Sequence, residues 1–445
     1  MNVMKKIRRV AGIGMTVAVV AFGFTVIAAQ YSQAQVQENT GRIKKKDKNG
    51  SGRKTKRVQT LSKKVFEHLN KAQEFMELED YASALATVDE AQQIRRLKPY
   101  DQAMIYQLYA YIYSTQEKYK EAAEKFKALL TVDEDAVPAG IRTTTIYNLA
   151  QISMVLEKWQ EGVDYLNQWF KVAENPQPVA YILLAQGYAQ TKEWKKALTP
   201  VQKAIDMTKA QGKEPKENWY QLLLAANFEL NDFKAVRDVL EILVDKFPKK
   251  NYWLQLAAVY GELNDEFDQL NVMELAYRQG YLNRSQEYVN MAQLYMYHEI
   301  PYKGAVTLEK ALKDGTAETD TKNWELLANA FANADEVDRA IPYLEKAAGL
   351  SKNGELYVRL GQAYTQREEW EKSAKAFGDA IRKGGLKKPD TAYLLQGMAR
   401  FNGNDIKGAR SSFAQARKSK NKKTAKNARA WIRHIDREEK RKKRQ

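Results

Sequence analysis

The sequence predicts an all-α fold: a right-handed superhelical solenoid of about ten helix-turn-helix repeats, ended by a C-terminal capping helix. Three observations predict it. One residue pattern returns about every three dozen residues from Val65 onward. Its apolar positions recur at helical rather than strand spacing. The residues that enzyme chemistry draws on are scarce: the 445-residue chain has no Cys, and only His68, His298 and His434 among histidines. Without a thiolate there is no disulfide, thiol nucleophile or structural zinc of the usual kind. Gly-rich phosphate loops, acidic metal clusters and nucleophile elbows are also missing from the sequence. No catalytic, cofactor-binding or metal-binding residue is therefore assigned, and a non-enzymatic protein is expected.

In chain order, the first element is a targeting segment. Lys5, Lys6, Arg8 and Arg9 precede an uncharged run from Val10 to Ala29, and Ser32-Gln33-Ala34 lies before Gln35. Basic start, apolar core and small-residue site together read as a signal peptide over residues 1–34, cleaved near Ala34, which places the mature chain in the periplasm. The same twenty apolar residues are long enough to cross a membrane as a helix. An uncleaved inner-membrane anchor is therefore the alternative.

Residues 35–64 read as a basic, disordered linker, because glycine and serine sit among lysines with few apolar residues and no periodicity. Charge is unevenly spread. The whole chain carries +17, with +3 in residues 1–40, +10 in residues 41–64 and +11 in residues 417–445, which leaves residues 65–416 at −7. The body is mildly acidic between two basic ends, so the overall charge does not point to nucleic acid. The ends have two readings, as solvated charge or as a weak tether to anionic membrane lipid.

The repeats occupy residues 65–416. Each has a small residue, an aromatic three places later, a second small residue nine beyond that, a bulky apolar residue after four, and often Ala after three more. Ten copies start at Val65, Ala103, Thr143, Pro178, Glu217, Lys250, Ser285, Thr321, Gly354 and Asp390. The clearest reads Leu360, Gly361, Tyr364, Trp370, Ser373, Phe377, Ala380. Ala or Gly fills the first small position in nine copies, which lets two helices approach where they cross. The Glu217 copy is the weakest, with Leu224, Val236 and Leu243 at the small positions. This pattern resembles the tetratricopeptide repeat, a pair of antiparallel helices that buries its apolar faces only by stacking on its neighbours. Residues 417–445 supply the end: Ala425, Ala428, Trp431, Ile432 and Ile435 form a helical stripe suited to capping the stack, with a basic tail beyond.

A stack of this kind acts through the surface lined by its first helices. At the ninth place of six copies stand Tyr111, Gln151, Gln186, Gln293, Asn329 and Gln362, with Tyr147 and Asn148 nearby. A neutral amide donates and accepts, so a file of amides suits the backbone of an extended or helical peptide segment. The plainer reading is that Gln is a soluble helix former. One subtype of the family grips a free C-terminal carboxylate with Lys and Asn at the fifth and ninth places. Here Asn329 fits but Glu325 occupies the fifth place, and Lys322 and Arg359 do not complete the set. The aromatic residues, for example Tyr188, Trp194, Tyr260, Tyr295 and Trp370, fall at packing positions, and no nucleic-acid partner is expected. His298 is expected at the surface rather than as a metal ligand.

Several stretches, Trp169 to Tyr188, Glu217 to Trp219 followed later by Pro248 to Tyr260, and Gly354 to Tyr364, are similar to a family of exported repeat proteins encoded beside the TonB, ExbB and ExbD genes of gammaproteobacteria. The resemblance runs from about Lys63 to Phe413 and implies a periplasmic scaffold that contacts TonB/ExbB/ExbD-type components in support of energised uptake. The long basic linker and tail depart from that family's pattern. An envelope-assembly adaptor for peptidoglycan or outer-membrane biogenesis, and a membrane-anchored adaptor, are the alternatives.

Overall fold

The computed structural model describes residues 59–442. The expected signal peptide, its cleavage site, residues 35–58 of the linker and the last three residues of the basic tail lie outside the described residues. Among those described, the structure is helical throughout and no helix is long and apolar enough to cross a membrane.

The described residues form two compact units, divided between Phe247 and Pro248. In the first unit the helices pair in order: α1 (Lys63–Glu77) with α2 (Tyr81–Gln92), α3 (Pro99–Thr115) with α4 (Tyr119–Leu130), α5 (Ala139–Val155) with α6 (Trp159–Val172), α7 (Pro178–Gln190) with α8 (Trp194–Ala210), and α9 (Glu217–Glu229) with α10 (Phe233–Lys246). A short 3-10 turn, Glu134–Ala136, precedes α5. The second unit repeats the scheme: α11 (Lys250–Glu262) with α12 (Glu266–Arg278), α13 (Ser285–Tyr297) with α14 (Pro301–Lys313), α15 (Thr321–Asn333) with α16 (Val337–Leu350), α17 (Glu355–Gln366) with α18 (Trp370–Lys383), and α19 (Pro389–Asn402) with α20 (Ile406–Ala416). A last helix, α21 (Lys422–Lys442), packs on α19 and α20.

These ten hairpins are the ten repeats read from the sequence. The first three begin two to four residues before the expected starts, at Lys63, Pro99 and Ala139. Proline explains two of the differences: Pro99 occupies the first helical position and Pro138 the N-cap, where a missing N–H is no loss.

Every hairpin turn is closed in one way. The N-cap residue of the second helix donates its backbone N–H to the carbonyl five residues back, from Asp80 to Phe75 in the first hairpin through to Asp405 to Arg400 in the last, at 2.8–3.0 Å in all ten. The residue before each of these N-caps is left-handed: Glu79, Glu117, Glu157, Lys192, Asn231, Asn264, Glu299, Asp335, Glu368 and Asn404 have φ between 57° and 66°. This is the helix-ending geometry that glycine usually supplies, yet none of the ten is glycine. Four of the N-caps, Asp80, Asp232, Asp265 and Asp405, also accept from the backbone N–H three residues on, which satisfies an amide the helix start would leave free.

The small positions are where the paired helices meet. Ala72, Ala110, Ala150, Ala185 and Ala292 are wholly buried. A Cβ added to Gly361 would lie 2.8 Å from the ring of Phe377, and one added to Gly397 would lie 2.6 Å from the ring of Phe413. In the α9–α10 hairpin the bulk of Leu224, Val236 and Leu243 is buried, and this is the loosest of the ten pairings. Larger side chains at a crossing hold the axes apart.

Gly361→Leu should cost about 3 kcal/mol in denaturant unfolding, because Phe377 has no space to retreat into. Gly361→Ala should cost nearer 1 kcal/mol, since Ala110 and Phe126 pack together at the same two places of the second hairpin. Conversely, Glu157→Gly should stabilise by roughly 0.5–1 kcal/mol by relieving left-handed strain at an exposed turn. A fall in melting temperature would contradict that account.

Candidate peptide-binding surfaces

The ninth-place residues share one face of their helices, but the structure puts them to different uses. In the first unit Tyr111 and Asn148 are buried, not groove-lining. The Tyr111 hydroxyl accepts from Gln107 Nε2 at 3.2 Å. Burial raises the phenol above its ordinary pKa, the amide contact acting the other way. Tyr111 packs in one cluster with Leu149 and Ile152, so α3 meets α5 there and the ring belongs to helix packing. Tyr147 is half-buried and starts a chain of four rings, with centroids 4.7 Å apart from Tyr147 to Trp169, 5.0 Å on to Phe170 and 4.7 Å on to Tyr181. Gln151 and Gln186 are half-buried on α5 and α7.

In the second unit Asn329 is engaged already. Arg359 donates to its side-chain oxygen and, at 2.7 Å, to Glu325 Oε1, so neighbouring first helices α15 and α17 are laced together at the places read as a groove. Gln362 is exposed. Gln293 is exposed too and lines a cleft of about 410 Å³ bounded by Glu266, Gln269, Asn290, Gln293, Leu294 and Tyr297.

That cleft lies between α12 and α13, where successive hairpins touch least within either unit. Gln269 leans instead against Gly261, where a Cβ would lie 2.7 Å from its amide nitrogen. Tyr297, of the cleft lining, stands 64% exposed, and Phe267, next to Glu266 in the chain, 68%. The Tyr297 hydroxyl bonds the Glu266 carboxylate, which raises its pKa. His298 Nε2 lies 2.9 Å from the Glu266 carbonyl oxygen and draws the α13–α14 turn against the start of α12. His298 is thus a half-buried linking residue.

The electrostatics are one-sided. No Lys or Arg occurs from Asn251 to Tyr277 or from Ser285 to Tyr302, in a chain with 72 of them. Glu287 is engaged by Lys250 at 2.8 Å, and Glu274 by Arg278 and Lys303. Glu262 and Glu299 remain exposed, and Glu266 and Asp268 face only neutral partners. Three amides, an aliphatic wall, open aromatic rings and uncompensated carboxylates suit an extended peptide with cationic side chains. Among the described residues no group of three or more His, Asp or Glu is arranged to hold a metal ion. Glu266 and Gln269 stand on the second helix of their hairpin, outside the first-helix places that the repeat pattern marks. The long stretch without basic residues was the available signal.

A family model for the tetratricopeptide repeat matches residues 358–424. No curated protein matches the chain. Among solved structures, a tetratricopeptide repeat protein from Parabacteroides merdae is 16% identical, covering 68% of this chain and all of its own length at a TM-score of 0.34. YrrB, described as a TPR protein with an unusual peptide-binding site, is 14% identical over 43% of this chain and 96% of its own, at a TM-score of 0.35. The TPR2AB domain of yeast Sti1, solved in a pHSP90 complex, is 14% identical over 61% and 99%, at 0.33.

Burial holds the Tyr147 phenol neutral up to about 12, against an ordinary value of 10.0. A proton bound more tightly in the folded chain contributes stability that is complete below pH 10 and is lost as pH rises toward 12. Tyr147→Phe should therefore flatten the alkaline fall in stability over that interval. An unchanged slope would mean the ring is solvated.

Proposed function

We propose that this protein is a non-enzymatic scaffold that holds a protein partner by an extended segment, and that it works in the periplasm in support of a TonB-dependent energy-transduction system. The observation that carries the binding mode is the cleft of about 410 Å³ that Gln293 lines. Repeats of paired helices bind through such surfaces because adjacent units supply a rigid wall with side chains at regular intervals. Side-chain amides compete well for a peptide backbone, and the surrounding carboxylates favour a cationic sequence.

The compartment is supported by the leader-like residues 1–34, with Ser32-Gln33-Ala34 before Gln35. The TonB/ExbB/ExbD-type partner is supported by the resemblance of Trp169 to Tyr188, Pro248 to Tyr260 and Gly354 to Tyr364 to exported repeat proteins of those systems.

A photo-crosslinking residue placed at Gln293 in cells tests the whole reading, with Gln362, also exposed, as the reference position. Capture at position 293 of a TonB-, ExbB- or ExbD-type chain, several-fold above capture at 362, is expected, from a mature protein whose N-terminus lies near Gln35. Equal capture at both positions would remove the cleft from the account, and retention of Met1 would remove the exported, cleaved form.

A further inference from the structure

The last helix carries a surface that the scaffold reading does not use. Lys422, Lys426, Arg429, Arg433, Arg437 and Lys440 are all exposed, and on a helix turning about 100° per residue they fall within an arc of roughly 80°. With a rise of about 1.5 Å per residue they form a straight row about 27 Å long. None has a carboxylate partner among the described residues.

The acids of the same helix are spoken for. Arg410 of α20 donates to Asp436 at 2.6 Å and to Glu439 at 2.9 Å, and Glu438 lies 4.0 Å from Arg441. The apolar side is also committed. Ala428 and Ile435 are buried against Leu394, Ala409, Phe413 and Ala416, and Trp431 stacks on Phe413 with ring centroids 5.6 Å apart and planes 6° from parallel. The helix is thus a rigid rail, fixed by its back, with its front entirely cationic.

We infer that this face of α21 docks flat on an anionic phospholipid surface. This goes beyond the scaffold reading and does not rest on it. Two features favour a membrane over other polyanions. The row is straight and about 27 Å long with its back on α19 and α20, so a plane can reach all six charges at once. No aromatic ring is free beside the row to stack on a base, since Trp431 is taken by Phe413. With its apolar side buried, the helix cannot insert as an interfacial helix does. The attraction is purely electrostatic and is screened by salt within a Debye length.

The test is vesicle cosedimentation of the full mature chain with phosphatidylcholine alone and with phosphatidylcholine containing phosphatidylglycerol, at low and at 0.5 M salt. One variant carries Lys426→Gln, Arg429→Gln, Arg433→Gln and Arg437→Gln. A matched variant carries Lys195→Gln, Lys203→Gln, Lys213→Gln and Lys234→Gln, exposed positions of the first unit with the same loss of charge. Residues 42–57 are unchanged in both, so their contribution is common. Circular dichroism melting confirms that both fold. The expected result is salt-sensitive binding to the anionic vesicles only, reduced at least tenfold in the first variant and less than twofold in the second. Equal loss in both would reduce the effect to net charge and overturn the proposal, as would no loss in either, the outcome for a merely solvated face. Tighter binding to a 30-base-pair DNA duplex than to the vesicles, with the same dependence on the row, would overturn it in favour of nucleic acid.

Discussion

A backbone amide donating to the carbonyl five residues back closes every one of the ten helix-helix turns, and the rest of the structure depends on that closure. It forces one residue per turn into the left-handed region, and in return it sets where the second helix starts relative to the first. The register in turn decides which side chains cross. Only with that register do Gly361 and Phe377, or Gly397 and Phe413, come opposite one another at contact distance. The left-handed residues are Glu, Lys, Asn and Asp, and each is tolerated because helix pairing on both sides over-determines the turn.

Where the contact between neighbouring elements is weakened, the structure opens. At α9–α10, bulky residues at the crossing loosen a hairpin without leaving a cavity, because their own volume fills the space. At α12–α13 the loosening lies between hairpins, and polar residues line it, so a cleft remains. Amides and carboxylates keep their hydration unless a ligand offers equivalent bonds. A surface of this composition stays open in the absence of a partner, whereas a leucine-lined one would collapse or pack.

Charge is segregated as well. The stretch flanking the cleft is devoid of basic residues, while the final helix has an unopposed cationic row and keeps its carboxylates for Arg410 and Arg441. Opposite charges held on rigid, separate elements present distinct surfaces to distinct partners, and the packing of α21 on α19 and α20 prevents its row from being neutralised by its own acids.

The sequence by itself determined the helix pairs, their number and most of their starts, because spacing along a helix converts directly into which residues face each other. It also located the crossing points and the weak Glu217 copy, since small and bulky residues at those places are legible one letter at a time. Tertiary structure decided the rest. Tyr111, Asn148 and Asn329 look equivalent to Gln293 in the repeat, yet the first two are buried in helix packing and the third is held by Arg359. Whether a groove-facing amide is free depends on neighbours some thirty to forty residues away, and no local pattern records them. The cleft is a property of two helices failing to close on each other, which is a matter of distance between elements and not of any residue within one.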